Sequence, residues 1–205
     1  METYPSDRQS LRQQVRQRRR SLTQQQQHHA AQQAAQRAMQ FPPLQTASSV
    51  ALFLSFDGEI NSHPLIEQLW QNHKQVYLPV IHPFSAGQLQ FLRYEKNTPL
   101  VKNPLGIAEP QLDIRHLIPL SELDVVMVPL VAFDSTGKRL GIGGGFYDRT
   151  LQNWRNYRLL PVGFAHDCQQ VNTLPDEAWD IPLPVLITPS RLWQWPQHLY
   201  ETIQP

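Results

Sequence analysis

The sequence predicts an α/β fold, a three-layer sandwich in which a mostly parallel central sheet is flanked by helices. Short apolar runs without a helical period alternate with segments whose apolar residues recur at helical spacing. The most apolar segment, LDVVMVPLVAF at 123–133, is typical of a strand buried on both faces of a parallel sheet. A chain of 205 residues is ordinarily one domain. We therefore expect residues 1–205 to form a single domain that begins with a basic helical segment at 1–40.

The N-terminal segment is predicted to be helical and basic. Residues 7–40 contain no glycine or proline and are rich in Gln, Ala and Arg, which indicates one long helix or two short ones that break near SLT at 21–23. The FPP sequence at 41–43 is expected to end the helical segment. Seven arginines against two acidic residues give residues 1–40 a charge of +5, and the rest of the chain carries −4. Because arginine makes forked contacts with phosphate and carboxylate, the segment favours an anionic ligand.

The remaining elements alternate between strand and helix. Predicted strands cover 50–56, 76–81, 89–94, 123–133, 159–165 and 184–189, and predicted helices cover 63–70 and 146–154. Ligands of such sheets collect at the carboxyl ends of the parallel strands. The glycine-rich segment LGIGGGFYD at 140–148, here called the glycine loop, follows one predicted strand and precedes a helix. We therefore expect the functional site at this loop.

Composition excludes several classes of protein. No apolar run approaches the roughly 18 residues that a membrane span needs, and the N-terminus lacks the apolar core of a signal peptide. Cys168 is the only cysteine, so an intrachain disulfide is excluded and a cytoplasmic location is favoured. The histidines lack the paired spacing of a zinc site. We expect Cys168 to be a small, partly buried side chain.

The glycine loop matches neither of two common nucleotide motifs. A P-loop would need Lys after its last glycine, and a dinucleotide fingerprint would need glycine at the position of Phe146. Glycines nevertheless let backbone amides turn toward an anion, and the next helix presents its positive end to the same point. Arg139 is placed to meet phosphate, and Asp148 is either a Mg²⁺ ligand or a helix-dipole partner. These residues alone leave a phosphate site and a tight crossover both open.

The motifs, taken in order along the chain, resemble the 5-formyltetrahydrofolate cyclo-ligase family, also called 5,10-methenyltetrahydrofolate synthetases. The matching segments are RQSLRQQVRQRRR at 8–20, FLSFDGEI at 53–60, NPLGIAEP at 103–110, VPLVAFDSTGKRLGIGGGFYDRTL at 128–151 and WDIPL at 179–183. The resemblance covers nearly the whole chain. It implies that ATP and 5-formyltetrahydrofolate are converted to 5,10-methenyltetrahydrofolate, ADP and phosphate, with Mg²⁺ as cofactor.

The resemblance also implies roles for individual residues. ATP contacts are expected from Arg8, Arg12, Arg139, Gly141, Gly143, Gly144, Gly145, Phe146 and Tyr147, with Arg8 at a position where the family usually has lysine. Folate contacts are expected from Leu54, Glu59, Ile142, Gly143, Gly144, Gly145 and Phe146, and Mg²⁺ ligation from Asp148 and Asp180. Some relatives carry basic residues at the positions of Ile142 and Gly144, so in this chain loop amides and Arg139 are expected to contribute more to phosphate binding. No catalytic acid or base is predicted.

Two other functions stay open on the residues. A related α/β protein, such as a phosphosugar isomerase or an acyl-transferase, would bind phosphate in the glycine loop without hydrolysing ATP. An RNA-binding protein would use the arginine-rich helix to contact phosphates, although the helix has little aromatic interleaving and the rest of the chain is acidic. The partners we expect are ATP and 5-formyltetrahydrofolate, with neither a membrane nor a nucleic acid.

Overall fold

The computed structural model describes residues 7–175 and 177–200. The helices of this part of the chain are α1 (Arg8–Arg20), α2 (Gln24–Met39), α3 (Pro42–Thr46), α4 (His63–Gln71), α5 (Phe146–Leu151) and α6 (Gln197–Tyr200). Its strands are β1 (Ser49–Ala51), β2 (Gln75–Ile81), β3 (Leu89–Arg93), β4 (Leu100–Lys102), β5 (Ala108–Pro110), β6 (Leu117–Ile118), β7 (Val125–Val128), β8 (Ala132–Phe133), β9 (Arg139–Leu140), β10 (Leu160–Phe164), β11 (Val185–Ile187) and β12 (Leu192–Gln194). None of these helices is long and apolar enough to cross a membrane.

The central sheet has eight strands in the order β12-β11-β10-β7-β1-β2-β3-β6. Its five middle strands, from β11 to β2, are parallel to one another. At the edges, β12 pairs antiparallel with β11, β3 pairs antiparallel with β2, and β6 pairs antiparallel with β3. Two small hairpins, β4–β5 and β8–β9, stand outside this sheet. The prediction of an α/β fold with a mostly parallel sheet is confirmed.

The sheet separates two apolar cores, as a parallel sheet with helices on both faces requires. Along β7, Val125 and Met127 pack with α2 and α4 on one face, whereas Val126 and Val128 pack with Leu151 of α5 on the other. This alternation follows from the two-residue period of a strand. The three layers are therefore helices, sheet and helices.

Helix α1 lies over the β8–β9 hairpin. Its apolar residues Leu11 and Val15 are buried against a cluster that includes Leu140 at the start of the glycine loop. The predicted break near 21–23 is present because Thr23 caps α2: its hydroxyl accepts from Gln26 N–H, and the Gln26 side chain accepts from Thr23 N–H. The first six residues of the predicted 1–40 segment lie outside the described residues.

Three predicted boundaries are wrong by more than two residues. The strand predicted over 50–56 ends at Ala51, after which the chain leaves the sheet. The strand predicted over 123–133 is two strands, because Pro129 has no N–H with which to continue the ladder beyond Val128. The FPP sequence does end α2, but its prolines then start α3, since proline fits the first turn of a helix. The helix predicted over 146–154 stops at Leu151, and a short 3₁₀ turn follows.

Candidate functional site

A cavity of about 330 Å³ lies at the carboxyl ends of the middle parallel strands. Leu54 follows β1, Ile81 ends β2 and Pro129 follows β7, and all three line the cavity. Strands that run in parallel end at the same edge of the sheet, so the loops after them converge on one space. Of the predicted site residues, Leu54, Glu59, Arg139, Gly141, Ile142, Gly145, Phe146, Tyr147 and Asp148 line this cavity. The predicted location of the site at the glycine loop thus coincides with a cavity.

The segment 53–60, here called the folate loop after the contacts that the resemblance implies, brings Glu59 to the cavity. Asp57 and Gly58 both have positive φ, at 54° and 75°, and this left-handed turn reverses the chain. The turn is closed by Phe56 N–H, which donates to the Glu59 carboxylate at 3.0 Å. Burial raises the pKa of Glu59 from 4.5 to about 7, against the opposing effect of the Arg19 charge. Glu59 is therefore a partly buried carboxyl group that titrates near neutral pH.

The glycine loop faces the cavity on one side and α1 on the other. Gly143 and Gly145 have φ of 114° and 66°, which only glycine adopts readily. Gly141, Ile142 and Gly145 reach the cavity. Toward α1, the Arg12 side chain donates through Nε to the carbonyl oxygen of Gly141 at 2.8 Å. The loop thus lies between a cationic helix and a cavity.

Gly143 and Gly144 do not line the cavity, although both were assigned to the folate as well as to ATP. A Cβ built on Gly143 would lie 3.6 Å from Arg12 Cζ, which puts this residue on the α1 side of the loop. A Cβ on Gly144 would lie 2.7 Å from the ring of Phe146, which does line the cavity. Gly144 therefore has a steric reason to be glycine, because it leaves room for that ring.

Two arginine–aspartate ion pairs flank the loop. Arg139 is 6% exposed, and it donates to Asp148 Oδ1 at 2.5 Å. The same carboxylate oxygen accepts from the backbone N–H of Ile181 at 3.1 Å. Arg8 makes a two-pronged pair with Asp180, at 2.6 and 3.1 Å. The residues predicted to hold ATP and Mg²⁺ are thus brought together, with each aspartate paired to an arginine.

These ion pairs bear on whether a metal fits. In the described ranges, no group of three or more His, Cys, Asp and Glu side chains could hold a metal ion by itself. Asp148 and Asp180 nevertheless supply the carboxylate oxygens that Mg²⁺ prefers, and Mg²⁺ is commonly bound by one or two carboxylates together with substrate phosphates and water. The donor set therefore fits a metal that arrives with a nucleotide and does not fit a metal held by protein alone.

The cavity wall contains buried polar atoms that lack a partner. Tyr147 Oη and Arg139 Nε have no hydrogen-bond partner among the residues the structure describes. Burial raises the pKa of Tyr147, so its hydroxyl stays protonated and can donate. An unpaired buried donor is costly unless a ligand or water satisfies it. Both donors are therefore left for a water molecule or a ligand to satisfy.

Sequence reasoning missed several residues around the cavity. The β4–β5 hairpin contributes Asn103 and Glu109, and the Glu109 carboxylate accepts from Asn103 Nδ2 at 3.1 Å and from Ile81 N–H at 3.2 Å. The motif NPLGIAEP pointed to this hairpin, but no residue of it was assigned. Arg149 was also missed: it donates to Gly87 O at 3.1 Å and to Gly144 O, which ties the glycine loop to the turn before β3.

The relatives of this chain share one activity name. Its sequence matches the model of the 5-formyltetrahydrofolate cyclo-ligase family over residues 5–189. It is 62% identical over 181 residues to the 5-formyltetrahydrofolate cyclo-ligase of Escherichia coli, which covers 88% of this chain and 100% of that protein. The Haemophilus influenzae protein of the same name is 52% identical over 176 residues, covering 86% of this chain and 94% of that protein.

A solved structure agrees with the sequence match. The 5,10-methenyltetrahydrofolate synthetase of Aquifex aeolicus has a TM-score of 0.78 at 28% identity, over 95% of this chain and 94% of that chain. The similarity therefore extends to the fold. The chain belongs to the 5-formyltetrahydrofolate cyclo-ligase family.

Proposed function

We propose that this chain converts 5-formyltetrahydrofolate and ATP to 5,10-methenyltetrahydrofolate, ADP and phosphate. The observation that carries the proposal is the position of the glycine loop, which lies between the arginines of α1 and the cavity that contains Glu59. A phosphate donor held at this loop would be adjacent to a second substrate in the cavity. Family membership supports the same activity.

The chemistry explains why the reaction needs ATP. The formyl group on N5 is an amide, and its oxygen is a poor leaving group. Transfer of the γ-phosphoryl group to that oxygen gives an enzyme-bound phosphate ester and ADP. N10 then attacks the formyl carbon and loses its proton, and the carbon–oxygen bond breaks as phosphate leaves. The protein has to position two substrates and neutralise charge, and no protein nucleophile is needed.

Different side chains around the glycine loop are suited to the two substrates. Amides of the glycine loop, together with Arg12 and Arg139, are suited to the triphosphate, because arginine binds phosphate through paired N–H groups. Leu54 supplies an apolar wall for the pterin. Glu59, when ionised, accepts hydrogen bonds from the pterin N–H groups. Tyr147 adds a buried donor at the same wall.

Three finer points belong to this proposal. Asp148 and Asp180 would hold Mg²⁺ together with the nucleotide, and the metal would neutralise charge on the phosphates. Residues 1–205 would act as one domain, with residues 1–40 contributing Arg8 and Arg12 to the ATP site. The cytoplasm is the proposed location, because a single cysteine, Cys168, suits a reducing compartment.

The alternative functions receive no support from the comparisons. The family match favours the cyclo-ligase over a phosphosugar isomerase or acyl-transferase. Against RNA binding, five arginines of α1 already have protein partners: Arg8 contacts Asp180, Arg12 contacts Gly141, and Arg16, Arg19 and Arg20 contact Asp57. These contacts turn much of the basic helix toward the protein.

The test is an absorbance assay for the methenyl product. Purified protein is mixed with 5-formyltetrahydrofolate, ATP and Mg²⁺, and matched reactions omit ATP, omit Mg²⁺ or contain ADP instead. We expect product only when ATP is present, and the Mg²⁺ omission reports the metal requirement separately. A protein that binds ATP but forms no methenyl product would disprove the proposal.

A further inference from the structure

Arg19 is a buried arginine whose position connects α1 to the folate loop. Its side chain is 1% exposed. Nε donates to the backbone oxygen of Asp57 at 2.9 Å, one terminal nitrogen reaches Asp57 Oδ2 at 3.3 Å, and the other reaches the carbonyl oxygen of Leu130 at 3.4 Å. A planar guanidinium can bridge these three acceptors, which lysine cannot do. Arg19 thus ties the folate loop to the segment after β7.

Arg19 differs from the two other arginines that meet Asp57. The side chains of Arg16 and Arg20 are 37% and 56% exposed, so solvent and salt screen their ion pairs. The Arg19 charge is screened much less because it is buried. Its hydrogen bond to the Asp57 backbone oxygen also holds the left-handed turn at φ 54°, a conformation that a non-glycine residue adopts rarely.

The folate loop presents Glu59 directly after this turn, and the cavity is lined by both Glu59 and Arg19. The charged and titratable groups that face Glu59 are Arg16 and Arg19 from α1, Asp57 from its own loop, Tyr147 from α5 and His166 after β10. Burial lowers the pKa of His166 to about 4, so this side chain adds no charge at neutral pH. Burial and Asp57 oppose ionisation of Glu59, whereas Arg19 is the largest influence in its favour.

We propose that Arg19 is a positioning residue for the folate, which holds the Asp57 turn and favours the ionised form of the Glu59 acceptor in the cavity. This inference rests on the proposed function, since it assigns Arg19 to the recognition of the pterin. Arg19 acts through Asp57 and Glu59 and needs no contact with ATP. Replacement of Arg19 should therefore change the KM for 5-formyltetrahydrofolate and leave the KM for ATP unchanged.

The first test measures the titration of Glu59 without any substrate. The carboxyl carbon of Glu59 is followed by ¹³C NMR in wild-type protein and in Arg19→Met, and Glu59→Gln identifies the signal. We expect the titration midpoint to rise by about one pH unit or more when the charge is removed. Arg115→Met is the matched control, because it removes an arginine from the exposed ion pair with Asp113. An unchanged midpoint in Arg19→Met overturns the inference.

Arg19→Lys covers the case in which Arg19→Met does not fold. Lysine keeps the charge but cannot bridge the three acceptors. We expect its Glu59 midpoint to stay close to that of wild type, while KM for 5-formyltetrahydrofolate rises at least about fivefold and KM for ATP does not change. A purely structural role predicts equal changes in both KM values, and that result, or an unchanged folate KM, refutes the positioning role.

The two proposals fail in different ways. Wild-type protein that forms no methenyl product refutes the proposed function, while the NMR titration still reports whether Arg19 controls the ionisation of Glu59. Conversely, wild-type protein can form the methenyl product while the Glu59 titration midpoint is unchanged in Arg19→Met. That result supports the proposed function and refutes the role of Arg19 in it.

Discussion

Replacing Glu59 by Gln should stabilise the protein above neutral pH while weakening folate binding. The substitution keeps the shape of the side chain and removes its charge. In the folded chain the pKa of Glu59 is raised from 4.5 to about 7 by burial, so the folded state binds this proton more tightly than the unfolded state does. Between these two pH values, the free energy of unfolding therefore falls as pH rises.

The size of the effect follows from the shift. At about 1.4 kcal/mol per pH unit, full ionisation costs up to about 3 kcal/mol at pH 8 and almost nothing below about pH 4.5. Because Glu59 is only partly buried by surface area, we expect solvent to reduce this to about 1–2 kcal/mol. For a chain of this length, that corresponds to a Tm increase of roughly 2–8 °C.

Thermal melts of wild type and Glu59→Gln at about pH 4.5 and about pH 8 check the prediction. We expect a higher Tm for the variant at the upper pH and little difference at the lower pH. Glu122→Gln is the control, because it makes the same substitution at an exposed side chain outside the cavity. A Glu59→Gln variant that is less stable than wild type at both pH values would refute the reasoning, since the carboxylate would then be stabilised by its surroundings.

The same variant tests recognition of the folate. An ionised acceptor makes hydrogen bonds worth about 1–3 kcal/mol to a buried N–H donor. Glu59→Gln should therefore raise the Kd for 5-formyltetrahydrofolate by roughly 5- to 150-fold and leave the affinity for ATP nearly unchanged. Calorimetric titration with each substrate separates the two effects, and unchanged folate affinity would remove Glu59 from the site.

The glycine loop and its ion pairs are open to three further tests. Arg12→Ala should raise the KM for ATP about tenfold or more and leave the KM for 5-formyltetrahydrofolate unchanged. Steady-state kinetics measure both values, and equal changes in the two would indicate a folding role for Arg12. Gly144→Ala places a methyl group 2.7 Å from the ring of Phe146, which lines the cavity and would have to move. Turnover should therefore drop roughly a hundredfold in a protein that still folds, and a loss of turnover that only follows a loss of folded protein in thermal melts would contradict a site effect. Asp148→Asn leaves buried Arg139 without its anionic partner and should lower the free energy of unfolding, measured in urea, by about 3 kcal/mol. A decrease below about 1 kcal/mol would show that the Arg139–Asp148 ion pair contributes little to stability.

Much of the fold could be predicted because its determinants are local. The helix break near residues 21–23 is caused by the cap at Thr23 and its partner three residues later. The apolar alternation of β3 and the helical spacing in α4 are likewise visible within short windows. The β4–β5 hairpin was not predicted, since its strands are three residues long and its first strand is fully exposed. Such strands carry no burial pattern.

The site could be predicted only in part. The motifs pointed to Glu59, the glycine loop, Asp148 and Asp180, and most of the residues assigned a binding role line the cavity. The partners of the two aspartates could not be inferred, because the assignment as Mg²⁺ ligands did not foresee Arg139 or Arg8 beside them. Arg19 was only one of several arginines in a basic segment until its burial was known.

The alternation of strands and helices, the family resemblance and the residue types available near the cavity can all be read from the sequence. These properties depend on local periodicity, on caps and on motifs that span a few residues. The tertiary structure alone decided which charges meet: Arg8 and Asp180 lie 172 residues apart along the chain, and Arg19 and Asp57 lie 38 residues apart. Such pairs form only when packed elements bring them together, and the burial that raises the pKa of Glu59 is likewise a product of that packing.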